Sequence, residues 1–201
     1  GGTGTSDNPY LVSTADHLDG VRYFLASYFK QMDDIDLNQP PYNQGEGWIP
    51  IDDGFRGEYN GNKHRIMNLM INRDDEEQAQ GLFSGIDEGA HLNNICLENI
   101  NITANSLWVG GLVGRVNSSI ISNCYVTGII ISETSTTGGL VGLYRGQVDD
   151  SWVDVELTAE NNNNTGGLIG QLLAEINDFE STVKNCYSLG SVTSNGQYIG
   201  G

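Results

Sequence analysis

The chain has 201 residues, enough for one domain with a continuous core. Its 9 Lys plus Arg against 26 Asp plus Glu give a net charge of −17, a surface that repels phosphate backbones and anionic lipid heads and so argues against binding to nucleic acid or a membrane surface, and no apolar run is long enough for this segment to insert in a membrane. Charged residues are only 17% of the chain and glycine, at 27 residues, is about twice its usual share, which fits a turn-rich folded chain better than a charged disordered tail.

In chain order, residues 1–8 read as a linker or an added end. Residues 9–60 read as an N-terminal cap. Ser13 is a plausible helix cap with Asp16 in the first turn. Leu18, Val21, Leu25 and Tyr28 then share one helical face, with Phe24 beside them. Asp33–Leu37 reads as a strand, Trp48–Ile51 as a short extended piece, and Tyr59–Asn62 as a tight turn with Gly61 at a position suited to positive φ.

From residue 61 to 201 the chain repeats. Gly110-Gly111-Leu112-Val113-Gly114 recurs as Gly138-Gly139-Leu140-Val141-Gly142 and as Gly166-Gly167-Leu168-Ile169-Gly170, each step 28 residues, with a degenerate earlier copy at Gly81–Gly85. A second ladder runs between the copies: an apolar residue, any residue, Asn or Asp, then a strand. It places Asn68, Asn94, Asn123, Asp150 and Asn185 in equivalent positions. Around Cys124 apolar residues alternate with period two, Ile129–Ile131 forms a second β-branched run beyond Gly128, and Gly-Gly-Leu-Val is a third.

The predicted fold is therefore all-β, a right-handed parallel β-helix with about three short strands per 28-residue coil and an N-terminal capping helix. Stacked coils sit about 4.8 Å apart, so Leu82, Leu112, Leu140 and Leu168 form an interior leucine row. The Asn and Asp ladder falls at a bend, with side-chain amides bonding along the axis. Tyr125, Trp152 and Tyr187 form an outward aromatic stripe. The array stops part-way into a repeat at Gly200-Gly201, and its last coil edge is expected to continue into further repeats.

The Gly-Leu-Val-Gly copies, with Asn123-Cys124-Tyr125-Val126-Thr127-Gly128 between them, resemble the GLUG motif. The stretches Asn8–Ala15, Asp34–Leu37 and Phe55–Asn62 are similar to the segment that precedes such arrays. The resemblance implies an extracellular or cell-surface bacterial module of the kind found in adhesin-like proteins and immunoglobulin A1 metallopeptidases. It brings no catalytic residue with it.

No catalytic or metal constellation is legible. His17, His64 and His91 lie far apart without a partner at i+4, and no nucleophile elbow or P-loop is present. Among the acidic groups, Asp74–Glu77 reads as a solvated loop. Asp154 and Glu156 share a strand face and hint at a cation or sugar site. Asp34, Asp36 and Asn38 also share a face that could hold Ca²⁺, although the stretch lacks the Gly and Glu of an EF-hand loop. The threonines are too irregular for an ice-binding face.

The ligand surface expected from the sequence is thus Tyr125, Trp152, Tyr187, Asp154 and Glu156. Two roles follow: a non-catalytic module for adhesion or rigid spacing, partnered by a host or neighbouring-cell surface protein or glycan, or a glycan-binding or glycan-processing β-helix. Cys124 and Cys186 are two coil steps apart, about 9–10 Å, beyond disulfide reach, and Cys96 aligns with outward Tyr125; three free thiols are expected.

Overall fold

The computed structural model describes residues 1–52, 54–74, 78–133, 136–160, 164–173 and 180–200. Asp53, Asp75–Glu77 and the centre of the insertion between Gln171 and Thr182 lie outside the described residues. The chain is a β-solenoid of about five turns, 54% strand, with one short helix near its N-terminus. Its named strands pair in parallel and form sheets of nine, eight and four strands.

One coil shows the construction. Trp108–Gly110 lies in the four-stranded sheet, Val113–Ser122 in the nine-stranded sheet and Tyr125–Ser132 in the eight-stranded sheet. The next coil repeats this with Thr136–Gly138, Val141–Asp149 and Trp152–Ala159. Two strands of each of these coils are thus long, and neither Gly114 nor Gly128 breaks them. Pairing on both sides keeps the chain extended, and Gly128 (φ 137°) sits where the register shifts against Ile100.

Strand alternation sends every second side chain inward. The row Ile35, Ile66, Leu97, Val126 and Val153 is buried along its whole length. Leu82, Leu112 and Leu140 are likewise buried and Leu168 packs against them. Each such side chain contributes on the order of 1.5–3 kcal/mol by leaving water. Towards the N-terminus the core is filled by rings: Phe55 lies 5.2 Å from Phe83, and Phe29 6.3 Å from both Phe55 and Tyr59.

The corners explain the repeated glycines. The backbone N–H of Gly111 donates to Gly139 O at 3.1 Å, and that of Gly139 to Gly167 O at 3.0 Å. A Cβ on Gly139 would strike Gly167 O, and one on Gly110 or Gly138 would strike the carbonyl of Val113 or Val141 in its own coil. A Cβ on Gly142 would come within 2.8 Å of Val109 N on the facing strand. These glycines have ordinary φ; what they supply is room for backbone against backbone.

The N-terminal segment departs from expectation in four ways. Residues 1–8 are folded against the first coil: Leu11 N donates to Gly1 O at 3.1 Å and Tyr28 N to Gly4 O at 3.0 Å, which anchors a stretch that its small residues disguise as a linker. The helix is only Ala15–Asp19, capped by Thr14 rather than Ser13, and passes into a short 3-10 turn, Gly20–Tyr23. Tyr28 belongs instead to a strand, Tyr28–Gln31, and with Tyr10–Val12 and Glu58–Asn60 it joins the nine-stranded sheet, so coil structure begins well before residue 61. At the 59–62 turn, positive φ falls on Asn62 and Lys63, while Gly61 is required because Asn94 O approaches it.

Arg22 locks this end. Its guanidinium donates to Asp19 Oδ1, Ile49 O and Pro50 O, and lies 5.8 Å from the ring centre of buried Trp48. Trp48 Nε1 in turn donates to Leu82 O.

Gly139→Ala should lower unfolding stability by about 2 kcal/mol or more, since the obstacle is the backbone carbonyl of Gly167, with the buried Val153 side chain also close. Gly20→Ala, where φ is −62° and no atom stands within 4 Å, should change it by less than about 1 kcal/mol. Urea denaturation of the two variants checks the contrast.

Candidate functional surface

The outer face of the eight-stranded sheet carries the residues that the sequence singles out. Cys96, Tyr125, Trp152 and Tyr187 occupy one row by register, with Arg65 at its N-terminal end. The ring of Tyr125 is 4.7 Å from that of Trp152 at an interplanar angle of 12°, and Trp152 is 6.0 Å from Tyr187 at 4°. The first spacing is that of neighbouring strands. The rings therefore stack along the solenoid axis with their faces turned to one another, and their edges point out. Such pairs contribute about 0.5–1.5 kcal/mol each beyond area burial.

Acidic groups flank the stack. Glu98 accepts the Tyr125 hydroxyl at 2.5 Å and lies 3.7 Å from Arg65 Nη1. Burial and the Glu98 carboxylate push the Tyr125 hydroxyl well above its ordinary pKa. Asp154 and Glu156 alternate outward on the strand of Trp152, beside Thr127 and Ile129 respectively, and are exposed. Glu98, Asn99, Tyr125, Thr127, Gly128 and Trp152 line a shallow groove. The sequence does not single out Glu98, Asn99 or Thr127, because the bulge that brings them together is a pairing property.

The polar ladder divides in two. Asn94, Asn123, Asp150 and Asn185 stand at one bend, all left-handed with φ of 53°, 53°, 50° and 54°. Asn and Asp tolerate this conformation better than most residues. The backbone N–H of Asn94, Asn123 and Asp150 each donates to a carbonyl of the following coil. Amide bonding along the axis joins Asn185 Nδ2 to Asp150 Oδ1 at 3.0 Å, and Asn94 Nδ2 to Asn60 Oδ1 at 3.2 Å.

Asn68 belongs elsewhere. Its strand pairs Met67 with Glu98, so it stands opposite Asn99, and Asn99 Nδ2 donates to Asn68 Oδ1 at 2.7 Å. Asn68 Nδ2 donates to Asp36 Oδ1, also at 2.7 Å. The position opposite Asn94 in the preceding coil is held by Gly61 instead, as the pairing of Asn60 with Asn93 requires. Both sites need positive φ, so one local pattern marks both.

Asp34 and Asp36 are engaged by protein donors. Asp34 accepts from Arg65 through its backbone N–H, Nε and Nη2, with His64 Nδ1 at 3.6 Å; these contacts hold its carboxyl below the usual value. Asn68 Nδ2 and Asn38 N–H do the same for Asp36. Asn38 also accepts from Asn43 Nδ2 through its own side chain. Among the described residues, no group of three or more His, Cys, Asp or Glu side chains is placed to hold a metal.

The three histidines are apart: His17 Nδ1 accepts from Ser13 N–H, His64 faces Asp34, and His91 Nε2 bonds Ser122 Oγ at 2.9 Å. All three cysteines are free. Burial pushes the Cys124 thiol up to about 12, while Cys186, on the last coil, is only partly covered.

Residues 109–132 and 161–193 match the family model of the GLUG motif. Over 133 residues, 63% of this chain, it is 41% identical to a protein of Evansella cellulosilytica described as a Gly-rich membrane protein, and 35% identical to halomucin of Haloquadratum walsbyi. The matched stretch spans only 15% of the first relative and 1% of the second. A crystal structure from Bacteroides ovatus, described as an immunoglobulin A1 protease, shares the fold with a TM-score of 0.57 at 14% identity, over 100% of this chain and 86% of that one.

Two outcomes follow from the geometry. Trp152→Ala removes the middle ring of the stack and should cost about 2 kcal/mol, with loss of the near-ultraviolet circular dichroism of the coupled rings; Trp152→Tyr should retain most of both. Asp34 and Asp36 have folded-state pKa values lowered from 3.8, so the stability they contribute is complete above that value and is lost as pH falls through the lowered ones. A chain carrying both Asp34→Asn and Asp36→Asn should show a shallower decline of Tm below pH 3.8 than the wild type.

Proposed function

We propose that this chain is a non-catalytic coil module of a surface or secreted bacterial protein, and that it acts as a rigid spacer. The observation that carries this reading is the aromatic stack along the axis. A sugar ring binds an aromatic side chain through the ring's face, and both faces of Trp152 are occupied by Tyr125 and Tyr187. The stripe thus stiffens the rod. Each coil adds about 4.8 Å of length without any redesign of the core, which suits a part that holds another domain away from a cell. The extracellular or cell-surface setting is supported by the relatives described as a membrane protein and as halomucin, each a far longer chain.

Adhesion or glycan binding is the second reading, and one observation favours it: the groove beside the stack holds Glu98, Asn99 and Thr127, and Thr127 stands opposite the exposed Asp154. A glycan array and a panel of host matrix proteins, screened with the wild type and Asp154→Asn, decide between the two. The spacer role expects no binding. Saturable binding that the substitution weakens about tenfold would replace it with the glycan or adhesion role.

A further inference from the structure

The outer face of the nine-stranded sheet carries another groove, on a different sheet from the aromatic stack. Burial alternates along Tyr28–Gln31, so Tyr28 and Lys30 turn outward while Phe29 and Gln31 enter the core. Met32 continues the outward series, and its N–H donates to Val12 O at 2.8 Å. Strand pairing sets Leu11 on one side of Lys30 and Asn60 on the other. With Pro9 these residues line a groove of about 460 Å³. Its walls hold three large apolar side chains open to water: Leu11 is 39% exposed, Tyr28 38% and Met32 38%.

Lys30 stands half-buried among them. Cations are scarce in this chain, and most of the arginines are spent on its own carboxylates: Arg22, Arg65, Arg73 and Arg115 each meet an Asp or Glu. Lys30 is used differently. Among the described residues no carboxylate lies within salt-bridge reach of its ammonium. The polar groups beside it serve other partners. Asn93 Nδ2 donates to Glu58 Oε1 at 3.0 Å. Asn60 Oδ1 accepts from the Asn62 N–H at 2.8 Å and from Asn94 Nδ2 at 3.2 Å.

We propose that this groove binds a small alkyl monocarboxylate, with its carboxylate on Lys30 and its hydrocarbon body over Leu11, Tyr28 and Met32. The charge selects an acid over an alcohol or an amine of the same length. An exposed ion pair alone contributes little, so a bare anion such as acetate is not held. The apolar walls supply the rest, because hydrocarbon laid on them leaves water. The occupant is the free acid and not an anionic bilayer, since a surface of net charge −17 is repelled by such a membrane.

The test titrates the full chain with octanoate and follows backbone amide and Met methyl shifts by NMR. The expected result is saturable change centred on Leu11, Tyr28, Lys30 and Met32, with none from acetate at the same concentration. Octyltrimethylammonium should bind about tenfold more weakly or worse. Lys30→Gln should lower the octanoate affinity about tenfold with an unchanged Tm, and Lys30→Arg should keep most of it. Four results would overturn the proposal. One is the absence of saturable octanoate binding. Another is an equal affinity for the Lys30→Gln chain or for the ammonium analogue. A third is a set of shifts centred away from this groove. The last is tighter binding to vesicles of anionic lipid than to the free acid. The glycan and matrix screen probes the face that carries Asp154, so the spacer reading and this one can fail separately.

Discussion

At one corner of each coil three stretches of backbone meet with no room for a side chain, and the other repeated features depend on that contact. Gly111, Gly139 and Gly167 are linked by N–H to carbonyl bonds along the axis, while Gly142 lies against Val109 of the facing strand. A Cβ at Gly111, Gly139 or Gly142 would run into the backbone of a neighbouring strand. Because the glycines recur every 28 residues, each coil returns to the same point one strand spacing further on. Corner and period together fix the register of both long strands, and register decides which side chains meet.

Two kinds of row result. The inward rows, such as Ile66, Leu97, Val126 and Val153, supply the hydrophobic stabilisation. The outward rows are matched for contact along the axis. Tyr125, Trp152 and Tyr187 stack, and Asp36, Asn68 and Asn99 bond in sequence. This matching consumes groups that would otherwise recognise ligands: ring faces meet ring faces, and the Asp34 and Asp36 carboxylates meet Arg65, Asn68 and the Asn38 backbone. A surface that is rich in aromatic and acidic residues can thus be largely internal chemistry of a rod.

Most of the coil was legible in the sequence because the repeat is read twice, once in Gly-Gly-Leu-Val-Gly and once in the Asn and Asp positions. The leucine row and the alignment of Tyr125, Trp152 and Tyr187 follow from spacing alone. What spacing does not carry is the orientation of the rings, which depends on rotamers set by neighbouring strands. Asn68 shows another limit, since Asn adopts positive φ at a bend and at a bulge alike, and only pairing tells them apart. The fold of the N-terminal eight residues and the short extent of the helix are not legible for a related reason. Their structure comes from contacts with Leu11, Tyr28 and the first coil, and no local pattern records such contacts.

Amide hydrogen exchange at the corner glycines tests the central claim most directly. If Gly111 and Gly139 N–H are bonded between coils as the structure has them, both should exchange only through large-scale opening, as slowly as the amides of core strand residues such as Val126 and Val153. Exchange of these two amides at the rate of a solvent-exposed turn would contradict the account, because glycines that merely reverse the chain need no such bonds.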